Sequence, residues 1–172
     1  MRASPHLAGW NRTDMVLLLA LLLILATSMI PALGTRRAAA RDALRLEDMQ
    51  RVRAALERYR ADHGTWPAAH ESEDCGGWDV SHDGDFIPAL VAGGYLDARV
   101  ADPVDDEEFQ YRYRVYEPGS FGCACSEPYF VLGIRSFESE LFGGATRQGF
   151  RCAKRDWGQE FAWVVGSPAA AD

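Results

Sequence analysis

The sequence predicts an α+β protein: a long N-terminal helix, transmembrane in its first half and amphipathic in its second, packed on a small antiparallel sheet. Three observations carry this. Residues 15–33 (MVLLLALLLILATSMIPAL) hold no formal charge. A helical apolar stripe follows them almost without a break, and segments of strand composition come only later. A helix first and strands afterwards is the order of a fold in which the helix covers one face of a sheet.

The apolar run is nineteen residues long. At the helical rise it would reach about 28 Å, close to the hydrocarbon thickness of a bilayer. Its leucine-rich start also suits a cleaved secretory signal. The run nevertheless continues through Thr27, Ser28 and Ile30 to Leu33, and the small residues at 38–40 fall inside a helical pattern. An uncleaved span over residues 10–34 is therefore expected. Pro31 removes a backbone donor within it and predicts a kink near Thr27. Asp14 stands at the edge of the span, where a carboxylate is tolerated at the interface or beside a positive group. In the first helical turn it would offset the macrodipole, with Thr13 as cap. Arg2 and Arg12 precede the uncharged run while Arg36, Arg37 and Arg41 follow it, so charge alone does not orient it.

Residues 36–63 read as a helix, with Leu46, Met49, Val52, Leu56 and Tyr59 on one stripe. Arg and Glu residues take the other face, in pairs such as Glu47–Arg51 at i, i+4. Gly64 suits the C′ position and Pro67 follows it. A Gly/Asp/Ser-rich loop covers 67–84, and a short helix over 86–91 is closed by Gly93 and Gly94. Strands are predicted at 111–116, 129–136 and 161–165, the first two antiparallel, with Glu117-Pro118-Gly119 as turn chemistry between them. Residues 35–166 form one extracytoplasmic domain, and 167–172 a disordered tail. No internal repeat is present.

The net charge is −7 and no basic patch occurs outside the flanks of the apolar run, which excludes a nucleic-acid-binding role. All four cysteines, Cys75, Cys123, Cys125 and Cys152, follow the span. An even number in an exported domain predicts two disulfides, and these require an oxidising compartment beyond the membrane, which places the N-terminus in the cytoplasm. Cys123 and Cys125 are too close in sequence to pair with each other comfortably. Each would reach one of Cys75 and Cys152, in either connectivity. A lone CxC lacks the spacing of a zinc site.

No GxSxG, HExxH or P-loop pattern occurs, and no catalytic residue is assigned. His70 and His82 lie near Cys75, so a Cys–His or metal site is conceivable there. A Cys123–Cys125 thiol enzyme is a further alternative, but nothing beside the pair would lower a thiol pKa. Trp66, Trp78, Trp157 and Trp163 would form either core or a ligand-stacking face.

ALERYRADHGTWP (55–67) resembles the helix terminus of the type IV pilin and type II secretion pseudopilin family, where a Tyr, a Gly and an aromatic-Pro pair recur. Here they are Tyr59, Gly64, Trp66 and Pro67. FIPALVAGGYLDARVADP (86–103) is similar to the next segment of the major pseudopilins, and YRYRVY to their first strand. The resemblance covers most of the chain up to about residue 136. At the N-terminus, Gly9, Trp10, Asp14 and Pro31 fall at the spacing of a prepilin leader, the following aromatic, the acid and the proline within the span. Trp10 and Asp14 stand where Phe and Glu are usual, and Arg12 where an apolar residue is usual.

The resemblance implies a leader over 1–9 removed between Gly9 and Trp10. It also implies that Asp14 neutralises a neighbour's freed amine in a filament. It implies a single-pass protein of the bacterial inner membrane with a periplasmic C-terminal domain. Its partners would be the membrane, other pilin-like subunits (copies of itself included) and secretion or pilus assembly components. No cofactor is expected. Major pseudopilins bind calcium near the C-terminus, but residues 143–159 hold only Asp156, and the acidic run 105–108 has no EF-hand spacing. The function expected is a structural subunit of a type II secretion or type IV pilus-type assembly, with no enzymatic activity. The alternative is a permanently tethered periplasmic binding module of the same fold that never polymerises.

Overall fold

The structure, a computed structural model, describes residues 11–70, 75–143 and 149–167, with backbone alone at 26, 28–32, 141 and 143. The expected leader, Gly9 and Trp10 lie outside these residues, as does the expected tail beyond Ser167. The chain divides into two compact units, Met1–Arg37 and Ala38–Asp172.

Helix α1 spans Arg12–His63. Pro31 falls within it, and its side chain lies outside the described residues. Among the described residues no helix is long and apolar enough to cross a membrane.

The second unit is α+β. The end of α1 behaves as its apolar spacing predicts: Met49, Val52, Ala55 and Leu56 are fully buried, with Leu46 and Tyr59 packed beside them. Each of the larger side chains gains about 1.5–3 kcal/mol from leaving water. Gly64 ends the helix at φ +73°, its N–H donating to the Arg60 carbonyl at 2.8 Å. Arg51 forms its ion pair with Asp48, and Glu47, one turn before it, adds a weaker charge interaction.

The sheet is four-stranded and antiparallel. Its strands are β1 (Asp79–Val80), β2 (Tyr111–Tyr116), β3 (Tyr129–Ile134) and β6 (Trp163–Ser167), neighbours in that order. Helix α2 (Pro88–Ala92) precedes β2 and helix α3 (Glu140–Gly143) follows β3. A two-stranded hairpin, β4 (Arg151–Cys152) and β5 (Arg155–Asp156), comes before β6. The third strand thus begins two residues later than predicted and includes Ser167, which pairs with Phe130 rather than opening a tail. The amide of Phe161 bonds back to Trp157, which keeps it out of the strand.

Alternation along the strands separates two cores. Tyr111, Tyr113, Phe130, Leu132, Ile134, Trp163 and Val165 face α1. Tyr129, Val131 and Val164 face a second apolar layer made by Trp78, Phe150, Trp157 and Phe161. Every residue of β3 is buried. Cover on both faces explains why YFVLGI reads as a continuous apolar run instead of an alternating one. Two glycines make room for the second layer. A Cβ on Gly133 would lie 2.6 Å from the Phe161 ring, and one on Gly166 would lie 2.6 Å from that of Phe150.

Candidate functional site

The start of α1 is built by Asn11. Its Oδ1 accepts from the Asp14 amide at 3.0 Å, and Asp14 Oδ2 accepts from the Asn11 amide at 3.1 Å. This is a reciprocal capping box, with Asp in place of the usual Glu. Thr13 is therefore not the cap: its hydroxyl donates to Asn11 Oδ1. The Asn-x-x-Asp spacing is the signal of this cap in the sequence. Asp14 sits in the first turn, where its charge favours the helix dipole.

Beyond the cap, Met15–Leu19 and Leu21–Leu25 are all exposed, on every side of the helix. The least exposed, Leu18, still shows 40 % of its surface. Thr27 satisfies its hydroxyl within the helix, donating to the carbonyls of Leu23 and Ile24 at 3.0 Å each. That internal bonding removes the need for a water partner. An apolar surface without a polar face is matched by lipid or by other apolar helices, not by water.

In the second unit, α1 is gripped through charge. Arg45 is fully buried, on the same stripe as Met49 and not on the polar face. Its guanidinium donates to Asp102 at 2.6 and 2.7 Å, to Asp42 at 2.6 Å and to Glu138 at 2.8 Å. Arg41 also clasps Glu138, with Nε to Oε1 at 2.7 Å. Asp42 accepts from the amides of Glu138 and Ser139 at 3.0 and 2.8 Å. Burial disfavours the Arg45 charge, but the bonds from Asp102 and Glu138 outweigh it and its pKa is raised. The Arg41 bond, opposed by burial and helped by Arg45, holds the Glu138 carboxyl down to about 2. The signal available in the sequence was position: Arg45 precedes Met49 by one helical turn.

The cysteines line the second layer. Cys123 and Cys152 are joined, 29 residues apart, one of the pairings the spacing allowed. The second expected disulfide is not formed. Cys75 and Cys125 are unpaired and half-buried, both packed against the second core. The Cys123–Cys152 bond takes Cys123 out of any CxC dithiol. Among the described residues no group of three or more His, Cys, Asp or Glu side chains is placed to hold a metal ion, including around His70, His82 and Cys75. All four tryptophans considered for stacking are buried: Trp66 and Trp163 in the first core, Trp78 and Trp157 in the second. They are core, not a ligand face.

Comparison with known protein families, curated proteins and solved structures gives no match.

Proposed function

We propose that the chain is a membrane-anchored, pilin-like structural subunit of a type II secretion or type IV pilus-type assembly. It is held in a bacterial inner membrane through residues 10–34, with its C-terminal domain in the periplasm. One observation carries this reading: the two parts of α1 have opposite needs. Met15–Leu19 and Leu21–Leu25 are apolar and exposed, whereas Met49, Val52 and Leu56 fill the core of an α+β domain. Apolar surface left in water costs about 25 cal/mol per Å². The first part is therefore stable in lipid before extraction and against neighbouring subunits afterwards. Asp14 supports the same reading. Among the described residues its carboxylate accepts one capping bond, from the Asn11 amide, and a carboxylate has further acceptor capacity that the freed amine of an adjacent subunit would use.

The intact mass of the membrane-extracted protein, co-expressed with a prepilin peptidase, tests this. Loss of residues 1–9, leaving Trp10 at the N-terminus, is the expected result. Retention of residues 1–9 on all molecules would overturn the filament reading in favour of a tethered binding module with the same fold. Arg12, the first residue of α1, is the feature that favours that second reading.

A further inference from the structure

At one end of the sheet's second face, beyond the cover of Phe161, lies a cavity of about 660 Å³. Cys75, Gly76, His82, Glu107, Gln110, Arg112 and Arg135 line it. Its two arginines come from adjacent strands. Arg112 pairs across the ladder with Gly133, and the Arg135 amide bonds to the Gln110 carbonyl at 3.1 Å. They are thus diagonal neighbours, on the same face by strand alternation. Among the described residues neither forms a salt bridge, although seven other arginines do. Arg112 makes only a long contact, 3.4 Å, to Gln110 Oε1. Burial first and then the Arg135 charge push the Arg112 pKa down, with Cys75 and Glu160 opposing. His82 adds a buried Nδ1 that has no hydrogen-bond partner among the described residues.

Two like charges held together in a chain of net charge −7 run against its overall balance. A buried polar nitrogen without a partner is also costly. One occupant relieves both. We propose that this cavity binds a phosphate or sulfate oxyanion, free or as the head of a monoester, between the guanidinium groups of Arg112 and Arg135. His82 Nδ1–H is a third donor. Guanidinium forks match the tetrahedral oxyanion by charge-assisted bonds. The cavity is within the size range of small-molecule sites, so a monoester fits as well as a bare ion. Glu107, the described carboxylate on the wall, would disfavour a second negative charge at its own side and orient the anion toward the arginines.

The test is titration of the full chain in non-ionic detergent with inorganic phosphate, inorganic sulfate and glycerol phosphate, following the arginine Nε–H resonances by NMR. Saturable shifts of Arg112 and Arg135 are expected with at least one of these anions, and not with chloride at equal ionic strength. Tighter binding of glycerol phosphate than of phosphate would assign the monoester. Equal or weaker binding would assign the free ion. Arg135→Gln should weaken binding by about 10-fold or more, and Arg135→Lys by less, with the remaining amide spectrum unchanged in both. Glu71, Glu73 and Asp74 precede Cys75 and lie outside the described residues. Saturable binding only after all three are neutralised would mean that the chain's own acids occupy the cavity. That outcome would overturn the proposal, as would no saturable binding or binding indifferent to Arg135→Gln.

Discussion

Arg45 and Asp102 meet in a buried two-point pair, Nε to Oδ2 at 2.6 Å and Nη2 to Oδ1 at 2.7 Å. The same guanidinium reaches Asp42 and Glu138, so one side chain of α1 ties down the loop before β2 and the loop after β3. Removing it leaves the buried carboxylates of Asp42 and Asp102 without their cation, while Glu138 keeps Arg41. Arg45→Ala should destabilise the folded domain by about 3–5 kcal/mol, the range for breaking a buried ion pair from one side. Arg45→Lys should recover little, because a lysine cannot form the two-point bond. Urea unfolding of the three proteins in detergent checks both expectations.

The close approach of Phe161 to Gly133 makes a second prediction. The ring occupies the space a Cβ would need, 2.6 Å away. Gly133→Ala should cost about 1–3 kcal/mol, the usual penalty for overpacking. Combined with Phe161→Leu, the alanine should cost less than the sum of the two single changes, since it would then meet a smaller neighbour. A double-mutant cycle in thermal or urea unfolding reads this directly. Additive costs would mean that the ring is not what excludes the methyl group.

How much of this was legible beforehand follows from the kind of signal involved. The stripe through Met49, Val52 and Leu56, the Gly64 terminus and the antiparallel pairing of β2 with β3 are local patterns, and the sequence carries them openly. Arg45 was misread because composition assigns arginine to the wet face, and only its distant acids, Asp102 and Glu138, make burial tolerable. The hairpin β4–β5 and the two-residue strand β1 are too short to show a period. The tryptophans were ambiguous for a related reason: an aromatic is as suited to a core as to a binding face until the second layer is known. The juxtaposition of Arg112 and Arg135 depends on strand register, which no single segment encodes.

The Cys123–Cys152 bond closes a loop across the aromatic layer, where Phe121 and Trp157 pack edge to face. A cross-link over 29 residues should contribute on the order of 3 kcal/mol by restricting the unfolded chain. Reduction, or Cys123→Ser with Cys152→Ser, should lower the unfolding free energy by that amount. Cys75→Ser and Cys125→Ser should each change it by less than about 1 kcal/mol, because neither is cross-linked. Equal losses from either pair would point to a second bond in solution. Thiol counting on the denatured, unreduced protein gives an independent readout, with two free thiols expected.

Asp79 and Glu138 should give the domain opposite responses to pH. Asp79 is fully buried on β1, where its carboxylate accepts from the His70 amide at 2.8 Å and the Ile87 amide at 3.2 Å. The second bond holds Ile87 in a left-handed conformation, φ 45°, at the start of α2. Burial outweighs these two donors and pushes the Asp79 carboxyl up to about 7. The native state therefore binds this proton more tightly than the unfolded chain does. The stabilisation is fully present below the unfolded pKa near 4 and is lost as pH rises through 7, on the order of 4 kcal/mol in all. Glu138 works the other way. With its pKa held down to about 2, its stabilisation is present above the unfolded value and fades as pH falls from about 4.5 toward 2. Between them, the two groups favour the folded state most near pH 4. Unfolding free energies measured from pH 3 to 8 should fall on the alkaline side in the native protein. Asp79→Asn should remove most of that alkaline slope while leaving the acid limb, and Glu138→Gln should flatten the acid limb while leaving the alkaline slope. An alkaline slope unchanged by Asp79→Asn would assign it to another group.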